Sequence, residues 1–168
     1  MLRLNLASGT DIKDGWVNLD IVPKWPAAKR GCDMIWDARK DAIPFGDNSV
    51  DEIYAGYLLL HLAPYYHKPV LAEIRRVLAP TGILTVGEVD MEIVLERYLD
   101  DPSDKRYSEL IWGEQAAEFA EFDKHCQGFT EQTLRELLCD NGFKDFKRIN
   151  IHCAGVFYEL TIQCRKVV

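Results

Sequence analysis

The chain has 168 residues, of which 48% are hydrophobic and 28% charged, and it carries a formal net charge of −7. This length and composition are typical of one globular domain and argue against a disordered or fibrous protein. The acidic balance disfavours generic attraction to nucleic acid or to an anionic membrane surface, so we expect neither partner.

The five cysteines are scattered and show no Cys-x-x-Cys spacing, so neither a disulfide framework nor a metal site is predicted. No apolar run approaches the roughly 20 residues of a membrane-spanning helix. We therefore expect a soluble, cytoplasmic protein with one domain over residues 1–168.

The first half of the chain alternates strand patterns with one clear helix. Strand formers dominate residues 2–6, 16–21, 32–37 and 50–57. Residues 67–79 carry an apolar stripe at helical spacing behind Pro69, and Pro80 and Gly82 are expected to close that helix before a strand at 82–89. This alternation predicts a parallel α/β sheet with a right-handed crossover.

The second half begins with a charged, aromatic and helical segment, residues 91–128, which is interrupted by a loop at 100–104. We interpret it as a helical insertion or lid over one end of the sheet. Thr130 then predicts a helix N-cap, and Gly142 the residue after that helix ends. Residues 143–151 and 155–165 are expected to form an antiparallel pair of strands joined near 152–155.

The turn after the first strand could approach a ligand closely, because Ala7, Ser8 and Gly9 are small. Asp20 ends the second strand, where an acid can accept hydrogen bonds from ribose hydroxyls. Asp37 ends the third strand and could accept from an exocyclic amine such as that of adenine. A tight turn with ordinary strand-end acids remains the alternative, since a G-x-G-x-x-G fingerprint is absent.

Several blocks of the chain together resemble the class I S-adenosylmethionine-dependent methyltransferases, in the small type 11 branch. They are "LNLASG", "GWVNLD", "WDARKDAIPFGDNSVDEIYAGYLLLHL", "VLAEIRRVLAPTGILTVGEVD" and "GFTEQTLRELLCDNGFKDFKRI", in the family's order. The resemblance implies a Rossmann-like seven-stranded, mostly parallel sheet with helices on both faces and an antiparallel last strand. It also implies S-adenosylmethionine as the cofactor.

The resemblance assigns roles residue by residue. The loop from Leu6 to Gly9 would lie near the methionine part of the cofactor, Asp20 would hold the ribose, and Ile21 would pack on the adenine. The remaining cofactor contacts implied are Asp37 and Ala38 at the adenine edge, and Ala55, Gly56 and Tyr57 beside the sulfonium.

The chain also departs from the family pattern. Ala7 and Asp11 replace glycines of the loop, Leu60 stands where an acid is frequent, and "EVD" replaces "VPD" after the fifth strand. Aligned methyl transfer demands no particular catalytic residue, but a hydroxyl or amine acceptor would be helped by a base. The candidates are His61, Glu88 and His125; for the two histidines, purely structural roles are the alternative.

The sequence thus predicts a methyltransferase with an unidentified, small-molecule acceptor, and an oligomer could complete its pocket. A methyltransferase-like module that no longer catalyses, and instead binds or assembles, is the main alternative. A nicotinamide-dependent oxidoreductase is a weaker alternative, because the dinucleotide fingerprint is missing.

Overall fold

The computed structural model describes residues 1–113, 120–149 and 159–168. The strands are β1 (Arg3–Leu6), β2 (Val17–Asp20), β3 (Met34–Ile35), β4 (Val50–Gly56), β5 (Leu78–Val89), β6 (Phe143–Ile149) and β7 (Glu159–Lys166). The helices are α1 (His67–Val77), α2 (Met91–Asp100), α3 (Lys105–Trp112), α4 (Ala120–Asp123) and α5 (Glu131–Asp140), with a 3₁₀ turn at Pro64–Tyr66.

The strands form one seven-stranded sheet in the order β3-β2-β1-β4-β5-β7-β6. The pairs among β1 to β5 are parallel, and β7 runs antiparallel to both β5 and β6. The predicted mostly parallel sheet with an antiparallel last strand is therefore confirmed. The predicted junction near 152–155 and part of the predicted lid, residues 114–119, lie outside the described residues.

Side chains alternate in direction along a strand, so apolar residues at every second position give the sheet one apolar face. Leu4 pairs in register with Ile53, and Leu6 pairs with Ala55. All of these are buried in one cluster that also contains the apolar stripe of α1 and Leu134 and Leu138 of α5. The core therefore lies between this face and α1 and α5.

α1 ends earlier than the sequence suggested. Its last residue is Val77, and β5 begins at once with the buried Leu78, which pairs with Val50. Pro80 and Gly82 consequently lie inside β5, beside the register irregularity that follows Val50, instead of closing the helix.

The sheet has less helical cover than the family pattern implied. The connections β1–β2, β2–β3 and β3–β4 are fully described and hold no helix. Pro23, Pro26 and Gly31 disfavour a helix in the second connection. The only helix that links two parallel strands is α1, so this part of the chain covers one face of the sheet with helix and the other with loops.

Two buried asparagines hold the short β1–β2 connection against the loop-covered face. The Asn5 side-chain amide donates to the Asp11 carbonyl at 2.7 Å and to Asn18 Oδ1 at 2.9 Å. Asn18 Oδ1 also accepts from the Lys13 amide at 2.8 Å. Since buried polar groups require partners, this network gives the ten-residue connection one defined path over the sheet.

Candidate functional site

A cavity of about 660 Å³ opens at the carboxyl ends of β1, β2 and β4, where open α/β sheets commonly bind ligands. Most of the residues predicted from the sequence line it: Ala7, Ser8, Gly9, Asp20, Ile21, Asp37, Ala38, Gly56, Tyr57, His61 and His125. Leu6, Ala55 and Glu88 do not. Leu6 and Ala55 face the core, because their register places both on the apolar side of the sheet.

The loop after β1 adopts the tight turn that its small residues suggested. Ala7 and Gly9 both have left-handed backbones, with φ of 51° and 48°. The Ser8 amide donates to the Leu19 carbonyl at 3.0 Å, which fastens the loop to β2. Alanine in place of the family's glycine therefore does not prevent the turn, although a left-handed alanine costs roughly 1–2 kcal/mol.

Asp20 lies at the end of β2 with only 4% of its surface exposed. Its Oδ2 accepts from the Gly9 amide at 2.8 Å. Its Oδ1 accepts from the Val22 amide at 2.8 Å and from the Trp25 indole at 3.0 Å. The carboxylate thus joins the two loops that border the cavity.

Asp37 is held by a cation that the sequence reading did not single out. Arg39 Nε and a terminal guanidinium nitrogen each donate to one Asp37 oxygen at 2.8 Å. Lys40 Nζ lies 3.4 Å from the same carboxylate. Hydrogen bonds from Arg39 lower the pKa of Asp37 to about 2, so the acid is ionised near neutrality. Any contact to an adenine amine would share this carboxylate with Arg39.

The cavity has features that fit a ligand with polar groups close to the loop. Ser8 Oγ is buried and has no hydrogen-bond partner among the described residues. Such an atom normally has a partner, which a polar ligand could provide. Gly56 also leaves no room for a larger residue, since a Cβ there would lie 2.6 Å from the Tyr54 ring. The Ser8 hydroxyl fits the cofactor implied by the resemblance, whereas Gly56 is explained by its packing against Tyr54.

His61 and His125 both line the cavity, with their ring centroids 5.0 Å apart. Burial, together with the neighbouring His125, lowers the pKa of His61 to about 4. Burial also lowers the pKa of His125. The Nδ1 atoms face the carbonyls of Lys124 at 3.3 Å and Leu110 at 2.9 Å. Because carbonyls only accept, each Nδ1 carries the proton, and each Nε2 keeps its basic lone pair.

Glu88, the third candidate base, lies outside the cavity lining. Its side chain is fully buried, and its two oxygens accept from the Leu59 and Leu60 amides at 3.0 and 3.2 Å. Burial raises the pKa of Glu88 to about 8. Its position at the end of a central strand was predicted correctly, but its carboxyl group supports the turn after β4 and does not reach the cavity.

Several lining residues were not found from the sequence. Trp25 and Arg39 stand close in sequence to the two strand-end acids, and that proximity was an available signal. Leu110, Phe122 and Asp123 come from α3 and α4, which are distant in sequence from the loops that they face. Arg39 lies over the Phe122 ring at 5.9 Å, so α4 lies beside the loop that follows β3.

Comparisons with known proteins agree with this geometry. Residues 17–86, which contain Asp20 and Asp37, match the family model described as "Methyltransferase domain". No curated protein matches the chain significantly in sequence.

Similar solved structures cover almost the whole chain. A SAM-dependent methyltransferase from Methanosarcina mazei is 19% identical, with a TM-score of 0.64 over 99% of this chain and 92% of that one. A possible histamine N-methyltransferase from Thermotoga maritima is also 19% identical, with a TM-score of 0.62 over 98% and 82%. DhpI in its SAH complex is 17% identical, with a TM-score of 0.64 over 98% and 76%. At these identities the likeness confirms the fold.

Proposed function

We propose that this chain is a class I S-adenosylmethionine-dependent methyltransferase of the type 11 branch, and that it transfers a methyl group to a small-molecule acceptor. The main support for this proposal is the open cavity at the carboxyl ends of β1, β2 and β4, which the buried Asp20 carboxylate lines. Its volume of about 660 Å³ lies within the usual range for small-molecule sites.

In this proposal the cofactor supplies a methyl group on a reactive sulfonium, and the chain supplies alignment and a dry environment. Asp20 accepts from the ribose, and Ile21 packs against the adenine. The loop Ala7–Gly9 lies near the methionine part of the cofactor, which provides a hydrogen-bond partner for Ser8 Oγ. Gly56 and Tyr57 border the methyl group from the end of β4.

His61 and His125 are the proposed bases at the acceptor end of the cavity. Both are neutral near pH 7, because their pKa values are lowered. Each presents an unprotonated Nε2 while its Nδ1 is held by a carbonyl, so either could take a proton from a hydroxyl or an amine. Glu88 is not proposed as a base, because its oxygens are occupied by backbone amides.

We further propose that residues 1–168 form one domain in which 91–128 acts as a lid over the acceptor. Leu110 of α3 and Phe122 of α4 line the cavity, which supports this role. The cavity volume of about 660 Å³ favours a small molecule over a polymer, and the net charge of −7 disfavours nucleic acid. No described helix is long and apolar enough to cross a membrane. The described cysteines are free thiols, which suits a cytoplasmic location.

Calorimetric titration with S-adenosylhomocysteine (SAH), the demethylated product, tests cofactor binding. The intact protein is expected to bind, and Asp20→Ala to raise Kd roughly a hundredfold, because hydrogen bonds to a charged group contribute about 1.5–3 kcal/mol each. Asp14→Ala, at an exposed acid outside the cavity, is the matched control. Absence of SAH binding, or equal binding by the Asp20 and Asp14 variants, would contradict the proposal.

Methyl-labelled S-adenosylmethionine, incubated with a panel of small hydroxyl and amine compounds, then tests catalysis. Transfer to any of them supports the enzyme. Cofactor binding without transfer across a broad panel would favour the non-catalytic alternative, whereas preferential binding of NADH would favour an oxidoreductase.

A further inference from the structure

Trp25 lies in the β2–β3 connection and touches the one carboxylate that the proposed cofactor needs most. Its indole Nε1–H donates to Asp20 Oδ1 at 3.0 Å, and the ring borders the cavity. The Val22 amide donates to the same oxygen at 2.8 Å, while the Gly9 amide donates to Oδ2 at 2.8 Å. Asp20 therefore already accepts three hydrogen bonds from its own chain.

A carboxylate offers about four acceptor positions, two on each oxygen. Oδ1 of Asp20 is filled by Val22 and Trp25, and Oδ2 has one position left beside Gly9. A ribose that donates both of its hydroxyl protons to Asp20 requires two positions. One of the three donors must therefore give way.

The three donors differ in how easily they can leave. The Gly9 and Val22 donors are backbone amides: Gly9 belongs to the turn fastened to β2, and Val22 is 2% exposed. Trp25 donates from a side chain that is partly exposed at the cavity wall. Rotation of this side chain frees the second acceptor position on Oδ1 without moving the backbone.

We propose that Trp25 is a positioning residue that competes with the cofactor ribose for Asp20. The inference rests on the proposed function, since it presumes that a ribose binds at Asp20. Before binding, the indole keeps the buried carboxylate hydrogen-bonded and correctly oriented, which avoids the penalty of an unpaired buried charge. On binding, the ribose replaces the indole, so Trp25 weakens cofactor affinity by the strength of the bond it gives up.

The first measurement examines the hydrogen bond in the free protein. The indole N–H resonance of Trp25 is assigned by its loss in Trp25→Phe and is followed by NMR. Asp20→Ala is expected to shift this resonance, whereas the Trp16 indole, outside the cavity lining, is expected to stay unchanged. An unshifted Trp25 resonance would overturn the inference before any ligand is added.

The second measurement adds SAH. Trp25 is expected to shift in the same direction as in Asp20→Ala, and calorimetry is expected to give a Kd about three- to tenfold lower for Trp25→Phe than for the intact protein, because the phenyl ring has no competing donor. Trp16→Phe is the control and should bind like the intact protein. Binding by the intact protein with an unmoved Trp25 resonance, or equal or weaker binding by Trp25→Phe, would overturn the inference alone. No SAH binding by the intact protein would contradict the proposed function itself.

Discussion

Asp37 and Glu88 are buried carboxyl groups at strand ends whose surroundings move their pKa values in opposite directions. Asp37 faces the Arg39 guanidinium, which lowers its pKa to about 2. Glu88 accepts hydrogen bonds from two backbone amides, and burial raises its pKa to about 8. Two carboxyl groups at the same edge of the sheet therefore differ near neutrality: Asp37 carries a charge and Glu88 carries a proton.

At the acid end of the pH range, protonation of Asp37 is expected to lower the stability of the folded chain. Its pKa is lower in the folded chain than its ordinary 3.8, so the folded state binds fewer protons and stability falls as pH drops from about 4 to 2. Asp37→Asn should lower the free energy of unfolding by about 1–2 kcal/mol at neutral pH and reduce that acid-side loss.

Urea denaturation at several pH values measures this effect. Asp104→Asn is the control, because Asp104 also pairs with an arginine, Arg106, but at the surface, where solvent screens the pair. Equal effects of the two substitutions would show that burial of the Asp37 carboxylate does not strengthen its ion pair with Arg39.

Glu88 is expected to affect the stability of the folded chain at higher pH. Its folded pKa of about 8 lies above the ordinary 4.5, so the folded chain keeps a proton that the unfolded chain releases, and stability falls as pH rises towards 8. His61 and His125, whose pKa values are lowered, oppose this trend only below their ordinary 6.5. Between pH 6.5 and 8, one proton corresponds to a slope of at most about 1.4 kcal/mol per pH unit.

Glu88→Gln should remove this slope in urea denaturation at about pH 6.5 to 8. Glu96→Gln, at an exposed position of α2, should retain it. A slope that persists unchanged in Glu88→Gln would mean that Glu88 is already ionised in the folded protein.

At the scale of single elements, α5 shows how local sequence decides a boundary. Thr130 Oγ1 accepts from the Thr133 amide at 3.2 Å, and Thr133 Oγ1 accepts from the Thr130 amide at 3.0 Å. This reciprocal pair satisfies amides that the first turn of a helix leaves without partners. The N-cap predicted from the sequence is confirmed, because its contacts span only three residues.

Thr130→Ala removes half of this cap and is expected to lower the free energy of unfolding by about 1 kcal/mol. Chemical denaturation monitored by circular dichroism measures the change. Thr81→Ala, at an exposed position of β5, should stay within about 0.5 kcal/mol of the original protein. If Thr130→Ala also lowers the free energy of unfolding by no more than about 0.5 kcal/mol, α5 is held by its buried leucines alone.

At the scale of the whole molecule, a ligand at the sheet edge is expected to stabilise the entire fold. The cavity joins residues of the β1, β2 and β4 ends with residues from α3 and α4. SAH at a hundred times its Kd should add about 2.7 kcal/mol to the free energy of unfolding and raise Tm by roughly 5–10 °C in a chain of this size.

Thermal denaturation with and without SAH checks this expectation, and the Asp20→Ala variant should show a much smaller shift at the same concentration. NADH serves as a second ligand. A larger rise in Tm with NADH than with SAH would contradict the proposed methyltransferase function.

The sequence alone determined the features that depend on neighbouring residues or on simple periodicity. Alternating apolar residues predicted the strands, the stripe from Val70 to Val77 predicted α1, and the resemblance placed Asp20 and Asp37 at the ligand-binding edge. The strand-end acids line one cavity because parallel strands bring their carboxyl ends to the same edge.

Only the tertiary structure decided what each polar group meets. Glu88 accepts from amides 29 and 28 residues away, so no local pattern could show that its carboxyl group is sealed from the cavity. The pairing of His61 with His125 likewise joins segments that lie far apart in the chain. Burial and partners are set by packing between distant segments, whereas helix caps and strand faces are set within a few residues.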